Sequence, residues 1–516
     1  MDANSLTNDD LAPTRPEQRT WSTWHIAALW IGMAVCIPTY SLAAGMIEAK
    51  MAWWQALATV ALGNVIVLVP MVLNGHAGAK YGIPFPVLMR ASFGTVGANV
   101  PALARALVAC GWFGIQTWIG GFAIYQILGA TGQIDFATEP SRTLAIGLTP
   151  WQGVCFLAFW GVNVYFVWNG MQSIKWLEAW SAPFLIASGL ALLAWALVAV
   201  PDASALFAGE SGFATSGEFW AVFFPQLTAM VGFWATLSLN IPDFTRFAKS
   251  QKSQVLGQAL GLPTTMTLFC FIGIVVTSAT VVLYGKAIWD PVQLVAKMGS
   301  IPVIVVALVA ISVATLSTNI AANVVSPAND FSNLAPRTIS FRAGGMITAV
   351  IGVLMMPWYL FNNLGAYIFT WLIGYGALLG PIAGIMLADY YILRRTRLDV
   401  GALYDPEGPH RGVNWRAMAV LVLAVLPNIP GFANAATNRT HAQAAAARVA
   451  HEAALASGVA PEQLAADVAA GKLPALVEPI FPAAFDTSYG YAWFIGLGLS
   501  MALYTALMVG RAKPAP

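Results

Sequence analysis

Charge is scarce in this sequence of 516 residues. Only 9% of the residues are charged, whereas 58% are hydrophobic. Soluble domains carry roughly 25% charged residues, so the composition excludes an ordinary soluble protein. The 25 Lys and Arg residues nearly balance the 23 Asp and Glu residues, which leaves a net charge of +2. Because there is no basic surplus, we expect no nucleic-acid partner.

Cysteine and histidine are also scarce, which limits the chemistry that the chain can perform. The four cysteines all lie in apolar runs, without C-x-x-C spacing, so a disulfide framework or a zinc site is not expected. The five histidines fall outside the centres of the apolar runs, and no catalytic constellation is visible. We therefore predict that the protein is not an enzyme and carries no cofactor. Residues 1–20 contain no apolar core of a cleaved signal peptide.

Long apolar runs fill most of the sequence. A helix needs about 20 apolar residues to cross a bilayer, and we predict twelve spans, at 26–48, 53–74, 98–130, 148–168, 178–200, 219–240, 262–285, 300–325, 344–363, 365–393, 414–433 and 489–510. If both termini lie inside, most Lys and Arg residues fall in cytoplasmic segments, as the positive-inside rule requires. We therefore predict a multi-pass protein of the cell (inner) membrane with both termini in the cytoplasm.

The spans define the predicted organisation of the chain. In chain order it is a cytoplasmic tail at 1–25, a ten-span core at 26–393, a cytoplasmic loop at 394–413, helix 11 at 414–433, an outer loop at 434–488, helix 12 at 489–510 and a cytoplasmic tail at 511–516. The outer loop is rich in Ala and is expected to contain short helices. Arg105, near one end of the third span, is expected to extend its charge to the membrane surface.

Two spans are interrupted by Gly and Pro at matching positions. Span one contains Gly32 and Pro38, and span six contains Gly232 and Pro242. Such residues leave backbone groups unpaired in a helix, and inside a bilayer those groups need a partner such as a ligand or an ion. A simple kink explains either break alone, because Gly and Pro are frequent in membrane helices. Their matching positions about two hundred residues apart favour a transporter.

Trp112 and Gln116 form the clearest candidate for ligand binding. They are four residues apart in span three, so they share one face of a helix. An indole ring beside an amide suits a flat ring that carries adjacent N–H and C=O groups. The alternatives are an interfacial anchor for Trp112 and an interhelical hydrogen bond for Gln116.

Span eight carries a cluster of oxygen-bearing side chains: the adjacent hydroxyls of Ser317 and Thr318, and the amide of Asn323. Hard cations such as Na⁺ prefer oxygen ligands. Hydroxyls on this span, together with carbonyls freed by a nearby broken helix, can supply them. The alternative is that the hydroxyls bond to carbonyls of their own helix.

Six motifs in these spans resemble the nucleobase:cation symporter-1 family, over roughly residues 8 to 430. They are Ile37-Pro-Thr-Tyr40, Tyr81-Gly-Ile-Pro-Phe-Pro86, Trp112-x-x-x-Gln116, Gly232-Phe-Trp-Ala-Thr236 followed by Asn240-Ile-Pro-Asp-Phe-Thr-Arg246, Ser317-Thr-Asn-x-Ala-Ala-Asn323, and Leu379-Gly-Pro-Ile-Ala-Gly-Ile-Met-Leu-Ala-Asp-Tyr390. The resemblance implies an all-α integral membrane protein. Its twelve helices would form a leucine-transporter-like five-plus-five inverted repeat followed by two C-terminal helices.

The resemblance also implies a substrate site. Trp112 and Trp234 would sandwich the ring, while Gln116 and Asn323 would hydrogen-bond its amide edge. The sequence departs from the family's hydantoin transporter at two further positions of this site. Those positions are Cys36, where that transporter has a carboxamide, and Phe233, where it has glycine. Both differences predict a pocket of another shape.

The resemblance implies an Na⁺ site between spans one and eight. Its ligands would be the carbonyls of Gly32, Val35 and Ala314 with the hydroxyls of Ser317 and Thr318. An ion there would tie a mobile bundle of spans 1, 2, 6 and 7 to a scaffold of spans 3, 4, 8 and 9. The thin gate would be span ten, around 371–375.

Together these observations predict a secondary active symporter. It would import a planar cyclic amide, uracil or allantoin first, with Na⁺ by alternating access. The alternative is a proton-coupled purine or cytosine permease, and a more distant one is a membrane receptor or enzyme. Beyond the small heterocyclic substrate and the lipid bilayer we expect no partner, and we expect a monomer.

Overall fold

The computed structural model describes residues 6–169, 186–298, 300–361, 366–469, 473–512 and 514. Apart from one parallel bridge between Trp21 and Ala248, all regular structure in these residues is helical. The α-helices are α1 (Thr23–Ala34), α2 (Ile37–Glu48), α3 (Trp53–Tyr81), α4 (Phe85–Phe93), α5 (Asn99–Ala130), α6 (Pro150–Asn169), α7 (Ile186–Ala199), α8 (Ser216–Phe233), α9 (Ala235–Asn240), α10 (Pro242–Thr245), α11 (Gln251–Tyr284), α12 (Pro291–Val295), α13 (Ile301–Asn323), α14 (Val325–Leu334), α15 (Phe341–Leu354), α16 (Trp358–Phe361), α17 (Ile373–Leu387), α18 (Trp415–Val425), α19 (Ile429–Ala436), α20 (His441–Ala456), α21 (Pro461–Ala469), α22 (Ala483–Tyr489) and α23 (Ala492–Met508).

Six helical stretches of the described chain are long and apolar enough to cross a membrane, and the number rises to eight if each of two bent helix pairs counts as one span. The six are Trp53–Tyr81, Asn99–Ala130, Gln251–Tyr284, Ile301–Leu334, Tyr367–Leu393 and Trp415–Ala456. The predicted span at 178–200 lies partly outside the described residues, which begin again at 186 with α7.

The first predicted break is present, between α1 and α2, whose axes differ by 60°. Helix α1 ends at Ala34, and Pro38 stands in the first turn of α2, where a proline is tolerated because its missing N–H needs no partner. The Cys36 N–H bonds to the Ala34 carbonyl at 3.0 Å instead of continuing the helix. The Gly32 carbonyl, which the Cys36 N–H would otherwise meet, is thereby released from the helical ladder.

The second predicted break divides span six into α8, α9 and α10. Helix α8 ends at Phe233, and Trp234 forms the junction to α9 with φ −101° and ψ 5°. A second interruption follows at Ile241, directly before Pro242. Asn74 of α3 donates to the Ser238 carbonyl at 2.7 Å, so a neighbouring helix satisfies a backbone group of this interrupted segment, as a membrane interior requires.

Two helices extend beyond their predicted spans. Helix α3 continues from 74 to Tyr81, and α11 begins at Gln251 rather than near 262. The extra turns contain polar residues, and hydropathy alone places the end of a span at such residues. In the structure, groups of a neighbouring helix satisfy their hydrogen bonds. Gln254 donates to the Val72 carbonyl at 3.3 Å, and the two helices pack along their lengths.

The packing of the helices falls into two groups. In one group, α1, α2 and α3 pack against α11, and α8, α9 and α10 pack against α3. In the other, α5 packs against α6, α13, α14 and α15. Helix α17 packs mainly against α23, and it lies between two π-helical segments, at Ala366–Leu372 and Ala388–Leu393. π-helical turns often occur at functional sites.

Candidate substrate and ion site

An aromatic cluster surrounds Trp112, near the middle of α5. The Trp112 ring centroid lies 5.1 Å from that of Phe233, 6.1 Å from those of Tyr367 and Trp371, and 6.4 Å from that of Tyr375, each at a steep angle. All five side chains are buried. Edge-to-face contacts at these distances are favourable, so the described arrangement is closed around Trp112, and three of its four partners come from the span-ten region.

Two glycines allow this closure. A Cβ on Gly111 would lie 2.1 Å from the Trp371 ring, and a Cβ on Gly232 would lie 2.8 Å from the Leu372 carbonyl. Both distances are shorter than a real carbon contact, so only glycine lets α5 and α8 approach the π-helical segment so closely. The Tyr367 hydroxyl also donates to the Pro38 carbonyl at 3.3 Å, which joins this segment to the break in span one.

Phe233 contacts both of the tryptophans that are expected to sandwich a ring. Its ring centroid is 5.1 Å from that of Trp112 and 4.9 Å from that of Trp234. Trp234 also meets the edge of Trp30 on α1 at 5.1 Å. The structure thus brings Trp112, Phe233 and Trp234 into one cluster, in which Phe233 meets both tryptophans edge to face.

Gln116 and Cys36 are brought together beside this cluster. Gln116 is 2% exposed, and its Oε1 has no hydrogen-bond partner. Its amide is a neighbour of the buried Cys36 thiol, which contacts the Thr39 hydroxyl at 3.2 Å. A buried acceptor without a donor costs about 1–3 kcal/mol, so the Gln116 oxygen is an atom that a ligand N–H would satisfy.

The Trp234 Nε1 is a buried donor without a partner. A buried indole N–H normally has an acceptor, so this group is available to a ligand carbonyl. The cluster therefore offers an unsatisfied donor at Trp234 and an unsatisfied acceptor at Gln116.

Asn323, the last residue of α13, has a partner that the sequence did not reveal. Its Nδ2 donates to the Asn319 Oδ1 at 3.0 Å. Asn319 in turn donates to the Phe113 carbonyl at 3.2 Å, to the Thr117 hydroxyl at 3.2 Å and to the Asn163 Oδ1 at 3.0 Å. Only the spacing of Asn319 one turn before Asn323 could have indicated this network, because Asn163 and Thr117 belong to other helices.

The residues expected to bind Na⁺ lie where α1 ends against α13. The Thr318 Oγ1 is 3.4 Å from the Gly32 carbonyl oxygen, and Val35 packs against Ala314. Ser317 is buried beside them. Two oxygens bound side by side to one hard cation at about 2.4 Å stand roughly 3.4 Å apart. The oxygens present therefore suit Na⁺ in chemistry and spacing.

The prediction for Arg105 is wrong. Its side chain is fully buried, not extended to a surface, and it forms an ion pair with Asp330 of α14 at 3.5 Å. Packing of α14 against α5 encloses the charge, and a buried charge requires a partner of this kind. Among the described residues, no group of three or more His, Cys, Asp or Glu side chains could hold a metal ion.

Residues 13–451 match the family model described as permease for cytosine/purines, uracil, thiamine and allantoin. The purine-uracil permease of Arabidopsis thaliana is 48% identical over 433 residues, which cover 83% of this chain and 72% of that protein. The allantoin permease of Bacillus subtilis (strain 168) is 40% identical over 437 residues, covering 83% of this chain and 88% of that protein.

A solved structure is also similar over nearly its whole length. Mhp1, a nucleobase-cation-symport-1 family transporter in a closed conformation with bromovinylhydantoin bound, superposes with a TM-score of 0.72 at 26% identity, covering 98% of this chain and 96% of that one. The all-helical fold is therefore that of Mhp1, and the chain is a multi-pass membrane protein. Members of the family are permeases rather than enzymes. The chain belongs to the nucleobase:cation symporter-1 family of permeases.

Proposed function

We propose that this protein is a secondary active symporter that imports a planar cyclic amide, uracil or allantoin first, together with Na⁺. One observation carries the proposal: the unsatisfied Gln116 oxygen lies beside the aromatic cluster of Trp112, next to the break between α1 and α2. Stacking on an aromatic ring and a hydrogen bond to a buried amide are what a flat cyclic amide requires.

Substrate would bind within the cluster formed by Trp112, Phe233 and Trp234. Because Phe233 contacts both tryptophans, a ring enters only if the Phe233 side chain moves or if the ring replaces one of its contacts. The ring N–H groups would then reach Gln116 and Asn323, and a ring carbonyl would reach the free Trp234 N–H. A bulky Phe233 favours a small ring over a heavily substituted one.

Sodium would bind between α1 and α13, with the carbonyls of Gly32, Val35 and Ala314 and the hydroxyls of Ser317 and Thr318. These residues belong to the two different packing groups of the fold. An Na⁺ ion that bridges the two groups of helices stabilises one relative position of these groups. A substrate that also bridges them stabilises the same position. Each ligand would then strengthen binding of the other, typically by a coupling free energy of about 1–3 kcal/mol.

The proposed architecture has twelve spans in the cell (inner) membrane. Residues 26–393 would form the ten-span, five-plus-five inverted repeat, and helices at 414–433 and 489–510 would complete it. Both termini and the 394–413 loop would be cytoplasmic, the 434–488 segment would be outside, and the protein would act as a monomer. Support comes from the distribution of Lys and Arg and from the two broken spans.

A second candidate function is proton-coupled transport of a purine or cytosine. It is favoured by the Arabidopsis thaliana relative, which is named a purine-uracil permease. In this candidate the substrate ring would bind to the same aromatic cluster. The hydrogen-bonding edge of the substrate would differ, and the coupling ion would be H⁺ instead of Na⁺.

Uptake of labelled uracil into cells that express the chain tests both candidates. Unlabelled allantoin, hydantoin, adenine and cytosine serve as competitors, and each assay is run in sodium and in choline buffer. Sodium-dependent uptake of uracil that excess allantoin or hydantoin abolishes supports the proposal. Uptake that does not depend on sodium but is abolished by a protonophore supports the second candidate. Absence of both uptake and binding for all these compounds contradicts the heterocycle site itself.

A further inference from the structure

Three asparagine side chains from two helices form a directed chain of hydrogen bonds that ends at Asn323, and the Thr117 hydroxyl of α5 also accepts from Asn319. Asn163 of α6 donates its Nδ2 to the Phe159 carbonyl of its own helix at 2.9 Å. Its Oδ1 accepts from Asn319, whose Oδ1 in turn accepts from Asn323. Asn163 and Asn319 are fully buried, so no water competes for these groups. We call Asn163, Thr117, Asn319 and Asn323 the amide relay.

The direction of the relay is fixed at its first member. If the Asn163 amide were turned over, its Oδ1 would face the Phe159 carbonyl, and two acceptors would meet. With Asn163 fixed, a turned Asn319 would place its own oxygen against the Asn163 oxygen and the Phe113 carbonyl. A buried amide takes the orientation in which every donor meets an acceptor, so the relay has one direction.

This direction determines which end of the Asn323 amide is left for a ligand. Nδ2 is held by Asn319 at 3.0 Å, and Oδ1 is the opposite end of the same planar group. Asn319 also bonds to the carbonyl of Phe113, the residue after Trp112, so Asn323 ends its helix beside the turn of α5 that carries the aromatic cluster.

Gln116 shows the same polarity independently. Its buried Oε1 has no donor, while its amide has the Cys36 thiol as a neighbour. The Gln116 amide, one turn after Trp112, thus also has its oxygen left without a donor.

We propose that Asn319, held by Asn163, is a positioning residue that turns the Asn323 oxygen toward the ligand, so that the site selects a ring N–H over a ring nitrogen lone pair. The inference rests on the proposed function and deepens it. A cyclic ureide, which offers two ring N–H groups, is then the preferred class, and a ring whose nitrogen accepts a hydrogen bond at that place is rejected because two acceptors would meet.

Uracil and cytosine form a matched pair of probes for this selection. They have nearly the same shape and size, but uracil carries a hydrogen on N3 whereas cytosine has a lone pair there. We expect the purified full-length protein to bind uracil more tightly than cytosine. In Asn319→Ala the Asn323 amide can turn, so the ratio of the two dissociation constants should fall about tenfold, which corresponds to one neutral hydrogen bond.

A conservative variant and a control separate positioning from a general structural role. Asn319→Asp, protonated when buried, keeps an acceptor for Asn323 and one donor, so it should retain the uracil preference. Thr315→Val removes a fully buried hydroxyl of the same helix that bonds only to the Ile311 carbonyl. It should leave the ratio unchanged, whatever it does to the amount of folded protein.

If Asn319→Ala still binds uracil and its ratio of dissociation constants is unchanged, the inference is overturned, whereas the proposed function stands. If Asn319→Ala does not fold, Asn163→Ala replaces it, because loss of the Asn163 oxygen loosens Asn319 while its bonds to Phe113 and Thr117 remain. A smaller fall in the same ratio supports the inference, and no fall overturns it. If the unaltered protein binds neither base, the proposed function and this inference fail together.

Discussion

The hydroxyl oxygen of Thr318 lies 3.4 Å from the carbonyl oxygen of Gly32, across the junction of α13 and the broken first span. That separation is too long for a good O–H···O hydrogen bond, which measures 2.5–3.0 Å, but it is the spacing of neighbouring oxygens around a hard cation. The Gly32 carbonyl is free for this role because the Cys36 N–H turns to Ala34. The break in span one therefore creates an ion ligand.

Thr318→Ala should remove the dependence of substrate affinity on sodium. The variant loses one of the two side-chain oxygens of the proposed site, while the small change leaves packing against α1 largely intact. The measurement is the apparent affinity for uracil over a series of sodium concentrations. Ser312→Ala is the control, because that hydroxyl lies on the same helix but bonds to the Leu308 carbonyl. A normal sodium dependence in Thr318→Ala would show that the ion binds elsewhere.

Trp112→Ala should abolish saturable uptake and leave folded protein in the membrane. The change removes the ring that the aromatic cluster contacts edge to face and on which the proposed substrate would stack. Uptake kinetics and the amount of protein in the membrane are measured together. Trp415→Ala is the control, since Trp415 is 75% exposed and far along the chain from the cluster. Kinetics like those of the unaltered protein in Trp112→Ala would contradict the site.

Gly111→Val should open the closed arrangement at the span-ten segment. A Cβ at this position falls 2.1 Å from the Trp371 ring, so the ring has to move away from α5. Because Tyr367 lies on the same segment, its hydrogen bond to the Pro38 carbonyl should weaken as well. Cys36, two residues before Pro38, should then react faster with a maleimide in the purified protein, and the added reactivity should vanish in a background of Cys36→Ser. Gly153→Val meets no atom within 4 Å and should react at the original rate. Equal rates in both glycine variants would mean that Gly111 does not hold this closure.

Arg105→Met should destabilise the protein strongly, by about 3–5 kcal/mol, because it leaves the Asp330 carboxylate buried without its counter-charge. Asp330→Leu should do the same by the reverse argument. The double variant should recover most of the loss, since no unpaired charge remains. Thermal unfolding in detergent measures each change. Arg411→Met breaks an exposed pair with Glu407 and should change the midpoint little. A double variant as unstable as either single one would refute the pairing.

Local patterns in the sequence were enough to predict the broken spans. A Gly and a Pro within about ten residues of each other marked both positions, and both breaks occur in the structure, at Val35–Cys36 and at Trp234. The same pair does not always interrupt a helix, because Gly261 and Pro263 lie inside the continuous α11. The closeness of Trp112 to Phe233 and of Gly32 to Thr318 followed from the family resemblance, because these pairs lie more than one hundred residues apart and no local rule brings them together.

The amide relay and the buried ion pair could not be predicted, for the same physical reason. Asn163, Asn319, Arg105 and Asp330 are each costly in an apolar helix unless a partner from another helix meets them. The sequence reveals the cost but not the partner. Arg105 was therefore expected at a surface. No role was predicted for Asn319, although it lies between Thr318 and Asn323 in the sequence. The lengths of α3 and α11 were missed because their polar turns are also satisfied by another helix.

Equilibrium binding of labelled uracil and allantoin to the purified protein tests the central claim most directly, with sodium replaced stepwise by choline at constant ionic strength. If Na⁺ and the substrate bridge the same two groups of helices, the dissociation constant of at least one of the two ligands should fall about fivefold or more as sodium rises, as a coupling free energy within about 1–3 kcal/mol requires. A dissociation constant that is the same in sodium and in choline would contradict the account.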